Sequence, residues 1–195
     1  MSLGKELLSR LICSKYIFFK GVEILDQGGP FSSGIAVLHF QDAVEMVLRV
    51  IAEHLECSLK NNVAFNQIID EIDKIGKDKI TPRIPLNQLN RARTSFKHFG
   101  LEPNYEDANK FRHDLEGFFP AAVRTFLDVD FESISLSSLI DHRRTENFLN
   151  EAERLIGDGK YRDSITASAV ALTIFRAHYD KEPDWHWRDP FRRFG

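Results

Sequence analysis

The stretch "FQDAVEMVLRVIAEHL", residues 40–55, decides the fold. Its apolar side chains recur at spacings of three and four, so that with Val37 upstream they put Val37, Phe40, Val44, Val47, Ile51 and Leu55 on one stripe of a helix. The rest of the chain repeats this period. No window alternates apolar and polar residues over a strand's length, and the reading is all-α.

Turn chemistry divides the chain. A first helix spans roughly residues 4–27 and stops at "DQGGP", where paired glycines and Pro30 cannot continue it. The second, holding the stretch above, begins after Ser32-Ser33. A third follows at about 61–75 with Phe65, Ile68, Ile72 and Ile75 inward, and "ITPRIP" reads as a linker. The fourth helix, about 86–99, should stop at Gly100, with Leu101 making an apolar contact and Pro103 forbidding continuation. A fifth, about 105–128, buries Phe111, Leu115, Phe118, Ala122 and Phe126, and Pro120 should kink it or divide it after Phe119. The serine-rich "ESISLSS" leads to a sixth helix ending at "IGDG" and a seventh from about Tyr161 to Tyr179. "FFKGVEILDQGG" with the following helix echoes "FLNEAERLIGDGK" with its own, each pair centred on Ala-Val, Ala43-Val44 and Ala169-Val170. Two separated copies do not make a solenoid, and the second hairpin is expected to pack on the bundle. The expected organisation is a helical bundle over 1–130, a hairpin over 131–180 and an irregular aromatic and basic tail over 181–195.

Composition narrows the chemistry. The chain has 195 residues, 43% of them apolar, and a formal charge of −3, so any polyanion site must be a local patch rather than a global field. Two cysteines, Cys13 and Cys57, make no disulfide framework, which points to a reducing cytosol. Charges interrupt every apolar run near the N-terminus, and no stretch of about 18 apolar residues occurs, so no signal peptide or membrane span is expected, and the location is cytoplasmic. Phosphate-loop, dinucleotide, nucleophile-elbow and zincin signatures are absent. His54 and Cys57 are spaced like metal ligands on a helix, but nothing completes a set, and no metal or cofactor is expected. "DWHWRDPF" in the tail could stack on a base or a peptide, although such a tail more often docks on its own domain.

The segment "LNRARTSFKHFGLEP", residues 89–103, gathers three cations and a histidine. An Arg followed by His across four to six residues arises by chance roughly 1.6 times in such a chain, so the matches Arg49/His54, Arg91/His98 and Arg93/His98 mean nothing without context. Projection on a helix groups Leu89, Ala92, Phe96 and Phe99 as the buried face and turns Arg91, Thr94 and His98 outward, with Asn90 and Lys97 at the border. Lys97 and His98 suit the negative end of the helix dipole, worth about 0.3–1 kcal/mol. Asn90, Arg91, Arg93 and Thr94 lie beyond its reach.

With "FQDAVEMVLRVIAEHL" before it and "ANKFRHDLEGFF" after it, this segment resembles the HEPN superfamily over roughly residues 30–128. The resemblance implies an all-α, HEPN-like helical bundle with an appended C-terminal helical hairpin. It also implies a homodimer whose two R-x(4–6)-H motifs meet as a metal-independent endoribonuclease site. Carried over, the motif falls on Arg93 and His98, with Thr94 where the family usually has Asn, Asp or His. His98 would act as general acid and base and Arg93 would stabilise the phosphate, while Asn90, Arg91, Thr94 and Lys97 would position the RNA backbone. Family roles as toxin or phage-defence effector, with a protein partner such as an antitoxin, follow as expectations. The rival expectation is a non-catalytic helical module of the same fold that binds a nucleotide or a protein.

Overall fold

A computed structural model describes residues 3–60 and 62–179. All regular structure in them is helical: α1 (Lys5–Gln27), α2 (Ser32–His54), α3 (Phe65–Ile75), α4 (Arg83–Phe99), α5 (Tyr105–Leu127), a 3-10 turn (Leu136–Leu139), α6 (Arg143–Gly157) and α7 (Tyr161–Tyr179). None of these helices is long and apolar enough to cross a membrane. The tail expected over 181–195, with "DWHWRDPF", lies outside the described residues.

The chain divides into two compact units, Met1–Ile134 and Ser135–Gly195. The first extends beyond residue 130 because Phe131 and Ile134 are buried in its core. Lys15 on α1 holds that extension: its ammonium donates to the carbonyls of Phe131, Glu132 and Ile134 at 2.9, 3.1 and 2.9 Å and sits 5.2 Å from the centre of the Phe131 ring. One cation thus satisfies three carbonyls of the segment after α5.

Helix α2 is the axis of the first unit, and α1, α3, α4 and α5 all pack on it. Val37, Phe40, Val44, Val47 and Ile51 are fully buried, as their spacing requires. Two glycines set how closely neighbours approach. A Cβ on Gly21 of α1 would fall 2.8 Å from the Phe40 ring, and one on Gly34 of α2 would fall 2.4 Å from the Phe96 ring of α4.

Several boundaries differ from the sequence reading for local reasons. Helix α2 includes Ser32 and Ser33, which are buried in its first turn. Helix α4 starts at Arg83 and absorbs Pro85, because a first-turn residue has no intrahelical amide bond to lose. Helix α5 runs unbroken through Pro120. Burial of Phe118, Phe119, Ala122 and Val123 on both sides of the proline outweighs its cost of about 3 kcal/mol. Ile75 and Phe99, expected inward, are 52% and 73% exposed. Each is the last residue of its helix.

The second unit is the α6–α7 hairpin with the 3-10 turn against α6. Its core is Ala152, Leu155 and Ala167. Buried Ala167 and Ala171 face inward while Ala169 is exposed, so the Ala-Val echo of the first hairpin does not carry the same burial.

The Gly34–Phe96 contact yields a direct test. Gly34→Ala should destabilise the first unit by about 1–3 kcal/mol through overpacking. Chemical denaturation of Gly34→Ala with Phe96→Leu should show a loss smaller than the sum of the single changes, and strict additivity would mean the two residues do not share this contact.

Candidate functional site: the outer face of α4

Helix α4 is fixed at both ends. At its start the Arg83 guanidinium pairs with Asp70 and, at 2.9 Å, with Asp73 of α3, and Asp73 also accepts the Ile80 amide at 2.8 Å. Leu86 and Leu89 are buried in the middle. At its end Gly100 takes the left-handed conformation (φ 68°), and its amide donates to the Phe96 carbonyl at 2.9 Å. Two residues on, the Glu102 carboxylate accepts the Gly34 amide at 3.3 Å. A carboxylate at the N-terminal turn of α2 meets both an unsatisfied amide and the positive end of the helix dipole. Leu101, expected to make an apolar contact after the stop, is 64% exposed, and its amide donates to the Ser95 carbonyl at 3.3 Å.

On this fixed helix Arg91, Thr94, Lys97 and His98 are exposed, and Asn90 is half-buried. Among the described residues Arg91, Lys97 and His98 form no ion pair. That sets them apart from Arg49, held by Glu45 at 2.7 Å, and from Arg112, which bridges Asp26 and Glu116 at 2.9 Å each. The Arg49/His54 match is therefore trim on α2, with Arg49 closing a chain of contacts in which Gln41 also donates to Glu45. The Thr94 hydroxyl donates to the Asn90 carbonyl at 2.8 Å, a back-bond within the helix.

Arg93 behaves differently. Its side chain is only 23% exposed and runs to Asp42 on α2 at 3.8 Å, and its Nε is buried with no hydrogen bond. Five residues of helix separate Arg93 and His98 by about 140° of azimuth and about 7.5 Å of rise. Arg91 and His98, about 20° apart in projection, share the outer side of α4, Lys97 is exposed at its border, and Arg93 lies on the side toward α2.

Asp42, Glu102 and Phe31 were not legible as parts of this region. Asp42 and Glu102 meet their partners across dozens of residues, and no spacing rule connects them. Phe31 had a local signal in "GGPFSS", an aromatic residue standing where a small capping residue is favoured. The spaced pair His54 and Cys57 sits at the end of α2. Burial, with Glu71 nearby, pushes the Cys57 thiol above its ordinary value, and its Sγ lies 3.8 Å from the Glu71 carbonyl. No group of three or more His, Cys, Asp or Glu suited to a metal occurs among the described residues.

A scan against models of known protein families finds no match to this chain, and searches of curated proteins and of solved structures find none either.

The Arg93–Asp42 contact is long and half-exposed, which places its stability contribution below about 1 kcal/mol. Asp42→Ala should leave the denaturation midpoint nearly unchanged. The same change removes the carboxylate beside the Arg93 guanidinium and should tighten binding of single-stranded RNA in a fluorescence-anisotropy titration.

Proposed function

We propose that the protein is a metal-independent endoribonuclease of HEPN type that acts as a homodimer. The observation that carries this reading is the trio Arg91, Lys97 and His98, exposed and without ion pairs on a helix anchored at both ends. Exposed cations without carboxylate partners on one helix suit a phosphate backbone. His98 serves as general base and acid: it takes the proton from the ribose 2′-hydroxyl, whose oxygen attacks the adjacent phosphorus. The departing 5′-oxygen receives a proton as its bond breaks. Arg93 stabilises the charge on the phosphate, and Asn90, Arg91, Thr94 and Lys97 position the backbone. Since Arg93 and His98 of one chain stand on different sides of α4, the constellation needs a second subunit, with fourth helices facing across a two-fold axis. In this role the protein works in the cytoplasm as a toxin or phage-defence effector, restrained by a protein partner such as an antitoxin.

One observation favours the rival, a non-catalytic module for a nucleotide or a protein. The Thr94 hydroxyl, at the motif's polar position, is already spent on the Asn90 carbonyl. Incubation with single-stranded RNA in EDTA separates the two readings. Wild type should produce fragments with cyclic phosphate ends, and His98→Ala and Arg93→Ala should each slow cleavage by about a hundredfold or more. Binding without cleavage by wild type, or equal cleavage by all three proteins, overturns the nuclease reading.

A further inference from the structure

We propose that the end of the bundle carrying Phe31, Phe99, Leu101 and Tyr105 is the surface on which a second copy of the chain docks. The proposal rests on the homodimeric reading above and names the interface for it.

Phe31 gives the strongest reason. It occupies the N-cap of α2 in the left-handed conformation (φ 64°, ψ 8°), offers no side-chain cap, and leaves its ring 58% exposed. Each property is unfavourable in an isolated chain. An asparagine would tolerate this backbone better, could accept an amide hydrogen bond from the first turn, and would put no phenyl ring in water. A residue that is wrong for the monomer on three counts is explained if its ring is covered by something else.

The other apolar side chains lie close by. The Glu102–Gly34 hydrogen bond and the Gly34–Phe96 contact place the first turn of α2 against the end of α4, and Phe31 precedes Gly34 by three residues on that turn. Phe99 ends α4, Leu101 follows it, and Tyr105 opens α5. All four are half or more exposed. Together they present on the order of 500 Å² of apolar surface, more than half of the roughly 800 Å² per partner that a specific dimer buries.

The charges beside the patch identify the occupant. Lys97 and His98, in the last turn of α4, and Glu106 and Asp107, in the first turn of α5, neighbour the patch residues Phe99 and Tyr105 in the chain. None of the four has an ion-pair partner among the described residues. Glu106 and Asp107 make this end unsuited to a polyanion, and a second copy is the occupant whose own apolar patch covers it under two-fold rotation. An RNA would be repelled by the acidic flank and would leave the apolar centre uncovered.

Sedimentation of the full chain over a concentration series tests the proposal, with wild type, Phe31→Asn and the double variant Phe99→Ser, Leu101→Ser. Wild type should be dimeric, and both variants should raise the dimer Kd at least tenfold. At concentrations where all are monomeric, Phe31→Asn should be more resistant to urea than wild type, an effect opposite in sign to simple loss of packing. Wild-type dimerisation in Phe31→Asn, or a dimer abolished only by changes elsewhere, overturns the proposal and leaves the nuclease reading standing. A wild-type chain that stays monomeric overturns both. A dimer formed through this surface that fails to cleave RNA supports the interface while removing the nuclease reading.

Discussion

The contact between Gly34 and the Phe96 ring is the constraint on which the rest of the first unit depends. Because position 34 has no Cβ, α4 can lie close enough to α2 for the Glu102 carboxylate to reach the Gly34 amide. That hydrogen bond fixes the turn after Gly100, and the turn fixes where α5 begins. The same approach commits the Ala92–Phe96 side of α4 to packing and turns Arg91 and His98 to the opposite side, with Lys97 at its border. Arg83, paired with Asp70 and Asp73, prevents the other end of the helix from swinging. The outer face of α4 is thus a rigid presentation of charge on a core-packed helix, the arrangement a positioned phosphate requires.

Helix geometry then limits what a single chain can do. Arg93 lies about 60° from Phe96 in projection, at the edge of the packed face, and its guanidinium ends near Asp42. His98 stands on the far side. Their separation is a property of a straight α-helix and does not depend on side-chain choice. Chemistry that needs both groups at one phosphate must draw them from two chains, whereas binding alone needs only the outer trio. The proposed docking surface at the apolar end of the bundle would be where two chains meet.

Much of the fold was legible because it is written in local signals. The stripe from Val37 to Ile51, the glycines that end α1 and α4, and the span of α7 follow from periodicity and capping alone. Phe99 and Ile75 misled because each ends its helix, and a periodic pattern does not show whether a terminal residue is covered. Of the two outcomes expected at Pro120, a division after Phe119 does not occur, because burial of Phe118, Phe119 and Val123 holds the helix together across the proline. In the candidate site, the outward direction of Arg91, Thr94 and His98 was legible from projection, since it depends only on which side of α4 is apolar. The partners Asp42 and Glu102 were not, because Asp42 meets Arg93 and Glu102 meets Gly34 of α2 through tertiary packing across more than forty residues of sequence.

The central claim is that the outer face of α4 contacts an RNA backbone through its unpaired cations. The most direct measurement is the salt dependence of binding to a short single-stranded oligoribonucleotide, compared between wild type, Arg91→Ala and Lys97→Ala. Each phosphate contact on a single strand contributes a slope of about −0.7 in log K against log salt. The account predicts that each substitution makes the slope shallower by about that amount and weakens binding. Slopes and affinities equal to wild type in both variants would contradict it.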